Sequence, residues 1–194
     1  MGAAFKFDEE KGIATIVFLA SRGIPELTKG KICKLIFLAD KQHLVRFGRP
    51  VTGDRLCAMK DGPVPSGILN LLNSVLRDPN ECPVLGNSIF INRSFTNPRF
   101  EAKSFGFADC LSDSDIEALN ATVHLYGPQT FSELRRMTHE LPAYKKAWTE
   151  DRPHNAPEMA FEDLFEEDDE AIQGALEEMT ENAEIGRAFA PPRF

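Results

Sequence analysis

The residue types that could do chemistry gather in one stretch of the chain, Asp40, His43, Lys60 and Asp61, with Gly62 and Pro63 following directly. Aspartate, histidine and lysine are the side chains from which acid–base and nucleophilic catalysis are built, provided that a fold brings them together. Read alone, the spacing commits them to nothing. His43 lies on the apolar stripe of a predicted helix, where a neutral imidazole bonded to a backbone carbonyl is the expected state. The turn Asp61–Ser66 lacks the lysine and the GxxxxGK[ST] spacing of a phosphate loop. No GxSxG, dinucleotide-binding or kinase signature is present, and His139-Glu140 lacks the second histidine of HExxH. The four cysteines, at 33, 57, 82 and 110, form no CxxC pair, so no metal site is expected.

These residues must be positioned by helices. Asp8, Glu9 and Glu10 open a first one, with Ile13, Ile16, Val17 and Ala20 as an amphipathic stripe, ending before Gly23 and Pro25. Thr28 caps a second, more apolar helix. Its face carries Ile32, Leu35, Ile36, Ala39, His43 and Phe47, with Leu38 and Val45 widening it, and Gly48 and Pro50 end it. Such a helix needs neighbours on more than one side. Arg55–Lys60 reads as extended, Asp61–Ser66 as a rigid turn, and a third helix follows with Ile68, Leu69, Leu72 and Leu76 inward. A polar loop opens at Asp78–Asn80. Ser88–Asn92 and Phe100–Phe105 alternate as an antiparallel hairpin. Ser112 and Asp115 approximate a capping box for a helix bearing Ile116, Leu119, Val123 and Tyr126, and Thr130 or Ser132 opens another through Leu134, Met137, Thr138 and Leu141. Trp148 is expected against the body.

The fold class expected is mainly α with a small antiparallel β-hairpin or sheet (α+β). Residues 1–148 form a compact helical domain, 149–158 a linker, and 159–194 an acidic amphipathic C-terminal helix and tail whose stripe runs from Phe161 to Met179. The net charge of −8 is uneven. Residues 1–60 carry eleven Lys/Arg against six Asp/Glu, 61–149 eight against ten, and 150–194 three against fourteen. An acidic tail opposes a phosphate backbone, so nucleic acid is not the expected partner. Lys29, Lys31, Lys34 and Lys41 would leave a regulator only a narrow basic strip. The longest apolar run is too short to cross a bilayer and is preceded by acids, which argues for a cytoplasmic protein without a signal peptide.

Lys34–Asp40, His43-Leu44, Phe47–Pro50, Ala58–Lys60 and Gly62–Ser66 resemble the Panacea domain of the SocA-like antitoxin family, a phage-associated family once filed as a domain of unknown function. Leu111-Ser112, Asp115, Leu119, Tyr126-Gly127 and Leu134 through His139 match its second half, so the likeness spans about residues 8–148. The resemblance implies a mainly helical fold and a non-enzymatic antitoxin that neutralises a co-encoded protein toxin by direct binding. In a branch of the family it implies a proteolytic adaptor for an AAA+ protease. It implies no cofactor. The candidate partner-binding residues are Asp40, His43, Lys60, Asp61, Gly62 and Pro63. The alternatives are a DNA-binding regulator, or an enzyme of unrecognised type around Asp40, His43 and Lys60.

Overall fold

The computed structural model describes residues 5–103, 108–148, 156–165 and 171–188. The elements run α1 (Glu9–Ala20), α2 (Lys29–Phe47), β1 (Leu56–Met59), β2 (Gly62–Pro65), α3 (Ser66–Arg77), α4 (Pro83–Ser88), β3 (Ile89–Asn92), β4 (Arg99–Ala102), α5 (Asp113–Tyr126), α6 (Phe131–His139), α7 (Pro142–Ala147) and α8 (Ala171–Ala188). The fold is mainly helical with small antiparallel β-structure, as the sequence implies, but with two hairpins where one is expected.

Helix α2 is the axis. Thr28 accepts from the Lys31 amide at its start, and Gly48, at φ 63°, donates to the Leu44 carbonyl at its end. Residues 31–40 are all buried, with α1, α3, α5, α6, α8 and β2 packed around it. Burial on every side takes in Lys31 and Lys34 too, so the basic strip expected on this helix does not exist as a surface. Val45, expected to widen the apolar surface, is instead 40% exposed.

Helix α1 departs from its expected stripe. Everything from Gly12 to Ala20 is buried, because α2, α3, α4, α5 and β4 enclose it. Asp8 caps it by accepting from the Lys11 amide. In α3 the buried face is Ile68, Leu71, Leu72 and Val75, so Leu69 and Leu76 sit at its margin.

The segment expected as a turn is a strand. β2 pairs antiparallel with β1, Leu56 opposite Pro65, Ala58 opposite Pro63 and Met59 opposite Gly62, and only Lys60-Asp61 remain as the bend. The alternating prolines explain how. Ala58 donates its amide away from β2, to the Pro157 carbonyl at 2.8 Å, so the Ala58/Pro63 and Leu56/Pro65 positions exchange no hydrogen bonds. Both prolines therefore stand where a strand amide would point outward without a partner, and β2 is an edge strand with no stranded donors there. On the other side of β1, Pro157–Met159 adds a third extended segment, closed by Met159 N to the Leu56 carbonyl at 2.8 Å.

The second hairpin pairs β3 with β4, Ile89 opposite Ala102, and Leu27-Thr28 lines its far edge through Phe100 N to the Leu27 carbonyl. Residues 104–107, the end of the strand expected through Phe105, lie outside the described residues. Two six-residue helices go beyond the expected elements, α4 in the loop that follows Asp78 and α7 in a stretch with no element expected, each with proline in its first turn. The C-terminal stripe is divided: a 3-10 turn at Phe161–Leu164 and then α8, which buries Met179 and Ala183. Phe161, Leu164 and Phe165 enter the core, and Phe161 meets Phe5 edge-on.

Candidate functional site

Three polar groups surround α2, and the six candidate residues are divided among them. The first is built on Asp115. Its carboxylate is wholly buried and accepts from Lys11 Nζ at 2.7 Å, from Arg49 Nη1 at 2.9 Å and from the Ser112 amide at 3.0 Å. The last contact belongs to the capping box that starts α5. Burial pushes the Asp115 pKa up, but the bonds from Lys11 and Ser112 and the charges of Lys11 and Arg49 outweigh it, and the net shift is downward.

His43 lies against this carboxylate, with Nε2 at 3.3 Å from Asp115 Oδ1 and 3.1 Å from Ser114 Oγ. Its Nδ1 is 2.6 Å from the Arg49 carbonyl, which only accepts, so Nδ1 carries the proton. This is the carbonyl-bound imidazole expected from sequence. It is not a relay, because the serine and the aspartate share one ring nitrogen while the other is given to the backbone. In a working triad base and orienter sit on opposite nitrogens. Desolvation holds the His43 pKa below its ordinary value.

Asp40 belongs to a second group. It accepts from the Thr52 amide at 2.9 Å and from Thr52 Oγ1 at 2.7 Å, fully buried, and burial pushes its pKa up to about 7. Asp54, next to it, accepts from the Gly67 and Ile68 amides at 2.8 Å each and so caps α3, whose preceding Pro65 offers no side-chain cap.

The third group grips the β1–β2 hairpin. Lys34 Nζ, from inside α2, donates to the Pro63 carbonyl at 2.7 Å, and desolvation lowers its pKa to about 8. Tyr144 of α7 donates to the Met59 carbonyl at 2.8 Å. Arg135 of α6 donates to Asp61 Oδ1 at 3.0 Å and reaches the Lys60 carbonyl. The His139 ring lies on Tyr144, and Tyr144 on Trp148.

Asp40 and His43 are both fully buried, so neither side chain is presented at the surface. Gly62 and Pro63 are buried as well, under α6, whereas Lys60 and Asp61 are exposed at the bend. The structure does not bring Asp40, His43 and Lys60 together. Arg49, Lys11, Lys34, Arg135, His139 and Tyr144 were missed as members of these groups. The one available signal was two lysines on a helix with no polar side to hold them. Among the described residues no three His, Cys, Asp or Glu side chains are gathered as a metal site, and no helix is long and apolar enough to cross a membrane. Cys33, the thiol deepest in α2, has its pKa pushed up to about 12 by burial, the opposite of a nucleophile's environment.

Searches of the curated proteins and of the solved structures gave no match. The family described as "Antitoxin SocA-like, Panacea domain" matches residues 32–149, which is α2 through α7 and includes all three polar groups apart from Lys11. With more than half of its length so matched, the chain belongs to the SocA-like antitoxin family and carries its Panacea domain.

Proposed function

We propose that this protein is an antitoxin that neutralises a co-encoded protein toxin in the cytoplasm by direct, non-catalytic binding, with Lys60 and Asp61 at the centre of the contact. The observation that carries the reading is the family match over the segment that builds the gripped hairpin. The local chemistry supports it. Asp40 and His43 are buried and engaged in structural bonds, whereas Lys60-Asp61 is a charged bend exposed to solvent and held by Arg135. A bend already fixed in one conformation loses little entropy on binding, the property a masking surface needs.

Neither alternative gains support. An acid–base centre around Asp40, His43 and Lys60 needs side chains that converge, and these do not. A nucleic-acid reader needs a basic surface, and two of the four lysines of α2 are inside the protein. Co-expression with the product of the adjacent open reading frame tests the proposal. The expected result is that the neighbour arrests growth alone, that this chain restores growth, and that the two co-purify. A neighbour that is harmless alone and does not co-purify contradicts it. If an AAA+ protease takes part, the neighbour's half-life falls on co-expression, whereas simple masking leaves it unchanged or longer.

A further inference from the structure

Below the Lys60-Asp61 bend lies a polar site that is incompletely bonded. Lys34 is 1% exposed, and its ammonium group has three N–H donors with the Pro63 carbonyl as their acceptor. Beside it, His139 Nε2 is buried and has no hydrogen-bond partner. The two meet over one atom. A Cβ placed on Gly62 would stand 2.8 Å from Lys34 Nζ, 3.0 Å from His139 Cδ2 and 3.0 Å from Thr138 Oγ1. Gly62 itself has φ 98°, so the backbone there is held in a conformation that few residues adopt and closes with no space to spare.

Charged and titratable groups face this ring from α2, α6, α7 and the hairpin. α2 contributes Lys34, and α6 contributes Arg135 and, next to the ring, Glu140. The hairpin contributes Asp61, whose carboxylate is already bonded to Arg135. α7 contributes Tyr144, stacked on the ring with centroids 4.5 Å apart, and Lys145, which pairs with Glu140. A second proton on His139 would bury an N–H without an acceptor between two cations. Its neutral form fits.

We propose that His139 is a proton-operated latch on the hairpin: neutral, it lets α6 close over Gly62 and fix the Lys60-Asp61 bend, and protonated, it releases the bend. Burial first, then the charges of Arg135 and Lys34, hold the closed-state pKa below the ordinary histidine value, while a hydrogen bond with the Asp61 backbone works the other way. An opened hairpin takes up the proton more readily, so acidification through and below the ordinary histidine range favours opening. The latch is a property of the fold. Only its consequence, weaker partner binding in acid, rests on the antitoxin reading, so the test uses no partner.

The test is amide hydrogen exchange of the full chain across a pH series, corrected for intrinsic rates, at Met59 and Gly62, which face each other in the hairpin. Ring-proton NMR follows His139 in the same samples. Fluorescence of Trp148, the single tryptophan, which stacks on Tyr144, gives a parallel signal. Protection at Met59 and Gly62 is expected to fall at least about tenfold as His139 takes its proton, with α5 amides unchanged. His139→Phe keeps the stack and removes the step. Lys34→Met removes a facing charge and moves the His139 midpoint upward, which tests the latch even where His139→Phe fails to fold. A pH step that survives in His139→Phe, a His139 titration that leaves hairpin protection unchanged, or a midpoint unmoved in Lys34→Met overturns the proposal.

Discussion

Two buried aspartates, Asp40 within α2 and Asp115 packed against it, show how partners decide the state of a carboxyl group. Asp115 has two cations and an amide, and its pKa is held down; Asp40 is bonded by Thr52 and the Val51 backbone without a cation partner, and burial raises its pKa to about 7. Asp40 therefore holds its proton in the fold at pH values where the unfolded chain, near 3.8, has lost it. Its stabilising contribution is complete below pH 3.8 and is lost as pH rises towards about 7, by on the order of 4 kcal/mol in total. Asp40→Asn preserves both Thr52 bonds, since an amide accepts with its oxygen and donates with its nitrogen. Urea unfolding of the two proteins between pH 4 and 7 should show wild type losing stability relative to the variant as pH rises; parallel curves would mean that Asp40 does not titrate there. Of these residues, only the carbonyl bond of His43 was legible in the sequence. Asp115 was readable as part of a cap but not as a hub, because Lys11 and Arg49 lie 104 and 66 residues away along the chain.

Elements were more legible than residues wherever local chemistry fixes them. Thr28 and Gly48 mark the ends of α2, and Ser112 and Asp115 the start of α5, because caps act within a few residues. β2 reads as a turn because two prolines in four residues signal one, and only the outward orientation of those positions makes them compatible with a strand. The six-residue helices α4 and α7 are too short to show a periodicity. Gly48 joins two elements. A Cβ there would stand 2.7 Å from Glu178 Cγ and 3.0 Å from its backbone carbon, whereas Gly23, with the same φ of 63°, has nothing within 4 Å. Gly23→Ala should thus cost only the left-handed strain, about 1 kcal/mol, and Gly48→Ala about 1 kcal/mol more, as α8 is pushed off the end of α2. Equal costs in urea unfolding would show that α8 does not depend on this contact.

Across the whole molecule, the acidic C-terminal segment meets the body chiefly through apolar side chains. Met159, Phe161, Leu164, Phe165, Met179 and Ala183 are buried, and ion pairing such as Lys146–Asp163 at 2.6 Å lies at the surface. Exposed pairs of this kind are worth a few tenths of a kcal/mol to about 1 kcal/mol, so apolar burial does more than charge to hold the C-terminal segment on the body. α8 lies outside the matched segment and covers the end of α2, whereas the Lys60-Asp61 bend is left open. The most direct measurement is the affinity of the purified full chain for the adjacent gene product, before and after the double substitution Lys60→Glu, Asp61→Arg. Both residues are exposed and the Asp61–Arg135 pair lost in the variant is a surface pair, so the fold should persist with a melting temperature lowered by no more than about 4 °C. Binding by the wild type and a loss of at least about 100-fold in the variant, equivalent to about 3 kcal/mol, is the predicted result. No binding by the wild type, or equal binding by both, would contradict it.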